Sequence, residues 1–412
     1  MGIPFLASLT KDARTQSRLL GMYLRPLRMV AKNPRIVQTV LRAEYRKRIG
    51  IELDRRLLAG RAGFPSNISI NLTRRCNLTC RMCIQHRHAQ GTSEGLPWYE
   101  VKNELPISAW VRLLDQAMDL RPSLFVTGGE PTLHPDFPEF IHEAKRRRFV
   151  VHVATNGTTL ARYSQLLVDE GVDIVVVSLD GPPDVHDRIR GQDGLFSRTT
   201  EGIRALMAER TMRRAPAPLV GINFAISRDN VQVIEQMVPV ALRLGVDSLQ
   251  FQHTIFLSRD HVEKHNSLFS EDLAHRWGVG LVQPSIPEGE FYESEIEPSD
   301  AELIAASLES VKETNKGRGI RVSFLPNLPE DQIYPYYMNL NHPFPGLCDT
   351  LWRTLRILPD GTVSPCLHVV AGNIASQSVR EIWNGPSMTG FRQLLSKKLL
   401  PGCARCCNRN FV

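Results

Sequence analysis

Cys76, Cys80 and Cys83 lie within Thr73-Arg-Arg-Cys-Asn-Leu-Thr-Cys-Arg-Met-Cys83, with the spacing C-x3-C-x2-C. The β-prone run Ile68-Ser-Ile-Asn-Leu-Thr73 precedes them, which puts the thiols on a loop leaving a strand. Three thiolates on one short loop can hold three irons of a cubane cluster, and such clusters are normally held by cysteine. No fourth cysteine lies nearby, so one iron would stay open to a ligand that is not protein. A zinc site or a set of buried thiols is the competing reading, although zinc usually takes four protein ligands.

A second set lies near the C-terminus. Cys348 is followed by Gly361-Thr-Val-Ser-Pro-Cys366, on an expected hairpin over Leu355–Val363, and then by Cys403-Ala-Arg-Cys406-Cys407. Cys348, Cys366, Cys403 and Cys406 give four thiolates, which suit either an auxiliary iron–sulfur cluster or a zinc ribbon. Cys407 is left over as a substitute ligand, a redox thiol or a packing residue.

The elements that must position these residues alternate. Strands are expected at 68–73, 123–127, 149–154, 173–179, 219–226 and 247–254, and helices at 108–119, 136–148, 160–170, 197–210, 230–244 and 300–316. Such alternation implies right-handed βαβ units and a parallel sheet, with the site at the carboxyl ends of the strands. Two long connections, 84–106 and 256–298, leave that face and are expected to touch substrate. They carry His86, His88, Trp98, Tyr99, His261, His265, His275, Trp277 and Tyr292, none of which is singled out as a base.

The chain of 412 residues has 42% hydrophobic residues, enough for an ordinary soluble core. No apolar run is long enough to span a bilayer, and the N-terminus lacks a signal-peptide pattern. Eight cysteines clustered in metal-like spacings argue for a reducing cytoplasm. The net charge of +7 comes from residues 13–48, which hold Arg14, Arg18, Arg25, Arg28, Lys32, Arg35, Arg42, Arg46, Lys47 and Arg48 against the single acid Glu44. Interleaved leucines make this segment a basic amphipathic helix, suited to an anionic membrane surface, an acidic partner or packing on the core. Scarce aromatic residues argue against nucleic acid.

Further motifs carry a resemblance. Thr127-Gly-Gly-Glu-Pro131, Val153-Ala-Thr-Asn-Gly157 and Val177-Ser-Leu-Asp-Gly-Pro182, with Val185-His-Asp-Arg-Ile-Arg-Gly191 behind it, follow the cysteine loop in order. Together with that loop they resemble the radical S-adenosylmethionine (SAM) superfamily over roughly residues 65–255. The C-terminal cysteines resemble the SPASM domain in its shortened, twitch form. The resemblance implies an α/β fold: a partial (β/α)6 TIM barrel with a helical N-terminal extension and a small C-terminal iron–sulfur domain. The expected division is 1–64 extension, 65–320 core, 321–345 linker and 346–412 auxiliary-cluster domain.

It also implies roles. Cys76, Cys80 and Cys83 would hold a [4Fe-4S] cluster that binds SAM. Gly128 and Gly129 would admit close backbone approach to the cofactor, Glu130 would accept from the SAM amine, and Pro131 would fix the turn. Ser178 and Asn156 would reach the ribose or carboxylate. Arg198 would pair with the SAM carboxylate, with Arg190 as competitor. Met82 stands where relatives often place an aromatic residue against the adenine. Cys348, Cys366, Cys403 and Cys406 would hold an auxiliary [4Fe-4S] cluster.

The implied activity is reductive SAM cleavage to a 5′-deoxyadenosyl radical, then hydrogen abstraction, with the auxiliary cluster as electron acceptor. The expected substrate is a small polar or lipid-linked metabolite, and the expected electron donor a reductase such as flavodoxin or ferredoxin. The expected location is cytoplasmic, with peripheral membrane contact through residues 13–48. The alternative is a maturase acting on a peptide or protein. A third reading, a non-enzymatic iron–sulfur or zinc electron carrier, has no use for a Gly-Gly-Glu-Pro turn beside an open iron.

Overall fold

The computed structural model describes residues 37–83, 104–268, 280–281, 294–344, 346–366, 369–397 and 399–406. Its strands are β1 (Asn67–Thr73), β2 (Ser123–Gly128), β3 (Val150–Thr155), β4 (Ile174–Ser178), β5 (Leu219–Ile226), β6 (Ser248–His253), β7 (Gly280–Leu281), β8 (Arg321–Leu325), β9 (Thr354–Ile357), β10 (Thr362–Val363), β11 (Val369–Val370) and β12 (Gly372–Asn373). Ten form one sheet in the order β12-β10-β9-β1-β2-β3-β4-β5-β6-β8. Every pair from β9 to β8 is parallel, whereas β10 runs antiparallel to β9 and β12. A separate two-stranded ribbon joins β7 to β11.

Period-2 alternation sorts the side chains. Ile68, Ile70, Leu72, Leu124, Val126, Val151, Val153, Val175 and Val177 point one way and are fully buried. Each such side chain contributes about 1.5–3 kcal/mol on burial. Their β-branched character suits the pleated sheet. Helices Ile107–Ala117, Phe137–Arg146, Leu160–Asp169 and Leu195–Met212 connect β1 to β2, β2 to β3, β3 to β4 and β4 to β5 in turn. Trp110, Phe137, Phe140, Ile141, Leu160 and Ile203 join the same core. The opposite face of the strands is only half-buried, as expected of an open barrel with a usable interior.

Two departures from expectation concern the barrel's edges. Residues 321–345, expected as a linker, contain β8, a further parallel strand beside β6, and a helix at Glu330–Met338. The expected hairpin forms, but β9 pairs in parallel with β1, Ile68 opposite Leu355. The C-terminal region thus extends the barrel sheet itself.

Only part of the basic extension lies within the described residues: a helix at Val37–Tyr45, a π-turn at Arg46–Gly50 and a helix at Ile51–Leu57. Arg46 pairs with Asp54 and donates to the Trp352 carbonyl. Arg55 pairs with Asp349 and lies over the Trp352 ring. These two cations are engaged by the chain's own C-terminal region, whereas Arg42 is exposed. Arg14, Arg18, Arg25, Arg28, Lys32 and Arg35 lie outside the described residues. No described helix is long and apolar enough to cross a membrane.

Two buried histidines make the fold acid-sensitive. His186 accepts from the Asp180 N–H at Nδ1, and His253 Nδ1 lies 2.6 Å from the Tyr337 hydroxyl. Burial lowers them from the ordinary 6.5 to about 4 and about 3. Unfolding lets both take protons, so stability is present above pH 6.5 and is lost as pH falls toward the folded values. At pH 5 the loss is about 2 kcal/mol for each histidine. Urea unfolding should show a lower midpoint at pH 5 than at pH 7; equal midpoints would contradict this.

Candidate active site

The cluster loop leaves β1 and is fastened at three places. At its base, Gly129 N–H donates to the Thr73 carbonyl (2.8 Å) and Glu130 N–H to the Arg75 carbonyl (2.7 Å). Glu104 accepts from the Thr73 hydroxyl and the Arg74 N–H. In its middle, Arg81 N–H donates to the carbonyl of Ile189, on the helix Pro183–Arg190 that Gly191 ends at φ +73. On its flank, Asn77 Oδ1 accepts from Asn156 Nδ2 (3.0 Å), while Asn77 Nδ2 donates to the Thr158 hydroxyl. Leu78 and Leu195 pack beneath, with Cys76, Met82 and Cys83 against them.

The paired glycines also meet a constraint inside the chain. A Cβ at Gly128, where φ is +151, would stand 2.3 Å from the Thr73 carbonyl oxygen, and one at Gly129 2.4 Å from that of Arg75. They admit the chain's own backbone, at the root of the cysteine loop. Glu130 is also more enclosed than expected. It has no solvent exposure, and its carboxylate accepts from Thr132 N–H, Thr132 Oγ1, Thr155 Oγ1 and Asn156 N–H. Burial pushes its carboxyl up, against those four donors. It ties the ends of β2 and β3 together, leaving only the second lone pair of Oε2 for a further donor. Pro131 opens the short 3-10 turn Pro131–Leu133 that Glu130 caps. Asn156 is buried and braces Asn77; Ser178 is half-buried at the end of β4, opposite Asn223.

The two arginines separate clearly. Arg198 is exposed on the first turn of Leu195–Met212. Arg190 is half-buried and packs against the buried Asp180, Nη2 to Oδ2 2.5 Å, with Nη1 3.8 Å from Cys80 Sγ. Burial raises the Cys80 thiol to about 11, with Arg190 opposing and Cys83 and Cys76 adding to it. The Cys76 thiol is raised chiefly by burial as well. Cys76 and Cys80, whose thiols resist ionising alone, suit a polycationic centre, which offsets their thiolates together.

The C-terminal cysteines also meet. Burial is the main cause that holds Cys403 well above the ordinary thiol range, and the neighbours adding to it are Cys366, Cys406 and Cys348. Cys348 precedes the turn Thr350–Arg353, Cys366 follows β10, and Cys403 and Cys406 flank Arg405 after the turn Pro401–Cys403. Cys407 lies outside the described residues. Among the described residues, no three His, Cys, Asp or Glu side chains converge closely enough to hold a single ion.

Sequence reasoning missed an amide row on the barrel's inner face. Asn223 on β5 stands opposite Gln250 on β6. Gln250 Nε2 donates to Asn223 Oδ1 (2.9 Å), and Asn223 Nδ2 donates to Gln252 Oε1 (3.1 Å). The alternation Ser248-x-Gln250-x-Gln252 was the available signal: polar residues at period 2 on a barrel strand face inward. Of the loop residues expected to touch substrate, His261 and His265 lie on the helix Arg259–Leu268 beside the Cys403 turn; His86, His88, Trp98, Tyr99, His275, Trp277 and Tyr292 lie outside the described residues.

Comparison with known proteins agrees with this geometry. Residues 70–211 match the radical SAM superfamily, and residues 348–407 match the SPASM iron–sulfur cluster-binding domain. A tungsten-containing aldehyde ferredoxin oxidoreductase cofactor-modifying protein from Pyrococcus furiosus is 24% identical, over 83% of this chain and 87% of its own. A PqqA peptide cyclase from Ruegeria pomeroyi is 28% identical, over 84% and 80%. Among solved structures, Streptococcus suis SuiB bound to the precursor peptide SuiA superposes with a TM-score of 0.58 at 15% identity, covering 86% of this chain and 71% of that one. At that identity the likeness is one of fold.

Proposed function

This chain is a radical SAM enzyme with a SPASM iron–sulfur domain behind its core, and from that premise we propose that it oxidatively modifies a peptide or protein substrate. Cys76, Cys80 and Cys83 would hold the SAM-binding [4Fe-4S] cluster, and Cys348, Cys366, Cys403 and Cys406 an auxiliary one. When bound, the first supplies the electron that splits SAM into methionine and a 5′-deoxyadenosyl radical. The chain's own residues do the rest. The Gly128–Gly129 stitch and the Asn77–Asn156 brace fix the loop, Ser178 offers a hydroxyl at the strand ends, and the barrel walls keep water from a reactive centre. Taking one hydrogen atom, then one electron and one proton, from the substrate amounts to a two-electron oxidation. The auxiliary centre supplies an acceptor for that electron.

The amide row carries the peptide reading. With Asn223 bridging them, Gln252 keeps its NH2 donors and Gln250 its carbonyl acceptor for the barrel interior. One donor and one acceptor side by side complement a peptide group. A relative named for a peptide substrate supports the same class. The expectation of a small polar metabolite rests on the shortened, one-cluster C-terminal domain, and that of a lipid-linked one on the basic arm, most of which lies outside the described residues. A small-molecule or cofactor substrate stands as the second reading, because another relative is named for modifying a cofactor.

Anaerobically reconstituted enzyme, dithionite and SAM, incubated with a pool of short peptides, should yield 5′-deoxyadenosine together with a peptide lighter by two hydrogens. Gln252→Leu should lose the peptide product while retaining slow uncoupled SAM cleavage. Unmodified peptides alongside stoichiometric turnover of a small-molecule or cofactor substrate would overturn the peptide reading.

A further inference from the structure

Among the described residues, Arg190 is the one half-buried cation whose donors are divided between a carboxylate and a cysteine of the cluster loop. It is the last residue of the helix Pro183–Arg190, and the left-handed Gly191 stops the helix there. Nε and Nη2 both reach Asp180 Oδ2, at 2.6 and 2.5 Å. That leaves Nη1 turned toward Cys80 Sγ, 3.8 Å away.

Asp180 is in turn immobilised. It has no solvent exposure. Its Oδ1 accepts from Ala225 N–H, its carbonyl accepts from Asn230 Nδ2, and its own N–H donates to His186 Nδ1. The carboxylate is therefore fixed between the end of β4 and the end of β5. The guanidinium cannot swing away from the sulfur without breaking two short charge-assisted bonds. The neighbouring Ile189 carbonyl holds the Arg81 N–H, so loop and helix end move together. The charges are also ordered. The cation contacts the sulfur directly and the anion lies behind it, so the pair presents its positive end to Cys80.

We propose that Arg190, oriented by Asp180, sets the reduction potential of the cluster held by Cys76, Cys80 and Cys83. This rests on those cysteines holding the SAM cluster. Reduction adds a negative charge to a cluster, so a nearby cation and a donor to a ligand sulfur both favour the reduced form and raise the potential. Lysine cannot replace this geometry. Its single ammonium is a point charge, which the carboxylate would claim, whereas the guanidinium fork serves both partners. Arg190 is thus a positioning and tuning residue that need not touch the substrate.

The test is a redox titration of the reconstituted full chain, following the EPR signal that changes when SAM is added. Arg190→Met should favour the oxidised cluster about tenfold, a fall of about 59 mV for one electron, with iron content unchanged. Arg190→Lys should fall in the same direction by less. Asp180→Asn should move the potential the opposite way, because the anion leaves and the cation stays. A purely structural role would not produce opposite signs for the two partners. A shift under threefold in an Arg190→Met protein that keeps its iron overturns the proposal. If Arg190→Met loses iron, Arg190→Lys and Asp180→Asn decide it, and shifts of the same sign overturn it. A wild-type protein with no SAM-sensitive signal would instead overturn the assignment of the cluster itself.

Discussion

Replacing Cys403 and Cys406 together with alanine should stop product formation and leave 5′-deoxyadenosine production intact. The two thiols stand with Cys366 and Cys348 in one half-buried group, apart from the loop of Cys76, Cys80 and Cys83 in the sequence and in the packing. Each half of the reaction therefore depends on its own ligand set. Iron content should fall to about half, since one of two cubanes loses its ligands. Substrate would still lose a hydrogen atom, but the remaining electron would have no nearby acceptor. Mass spectrometry of substrate and chromatography of 5′-deoxyadenosine, run on the same samples, separate the two steps. Product at the wild-type level in this variant would remove the electron-accepting role.

The second large effect is expected at a residue whose oxygens are almost all occupied. Glu130→Ala leaves four donors without their acceptor: the N–H and hydroxyl of Thr132, the hydroxyl of Thr155 and the N–H of Asn156. All lie in a buried setting, where each unsatisfied group costs about 1–3 kcal/mol. Water entering the space recovers part of that, so a net loss of about 3–5 kcal/mol is expected. The damage spreads to the chemistry because Asn156 braces Asn77 within the cluster loop. A displacement near 1 Å at a reacting centre costs about a hundredfold in rate. Glu130→Gln should be milder. Its carbonyl keeps three of the bonds, and its amide opposes only the Asn156 N–H. Urea unfolding and the rate of 5′-deoxyadenosine formation measure both consequences; an alanine variant matching wild type in each would show that the carboxylate holds nothing together.

Much of this was written locally in the chain. β5 has the expected bounds, 219–226, because its apolar run is long and its flanks are unambiguous turns. The other barrel strands fall within a residue or two, since runs such as Ile174-Val-Val-Val177 have few other ways to pack. The cysteine loop and its companion motifs identified themselves because their spacing is part of their chemistry. What escaped was non-local. β8 is a short edge strand with half-buried residues, so nothing in Arg321–Leu325 announces its pairing with β6. The contact of Arg190 with Cys80 joins residues 110 positions apart. Arg198 stands where the sequence puts it, exposed on the first turn of a helix. Glu130 was expected to reach outward to a ligand, whereas its bonds run mostly to threonines and a backbone amide of its own strand ends.

The parallel ladder between β1 and β9 ties the two cysteine sets to one another. β1 delivers the first trio of thiols, and β9 opens the hairpin that delivers Cys366. A slip of one residue along that ladder would shift the hairpin against the cysteine loop by a strand's rise, about 3.3 Å. Strand register thus sets the spacing between the halves of the molecule that would carry iron.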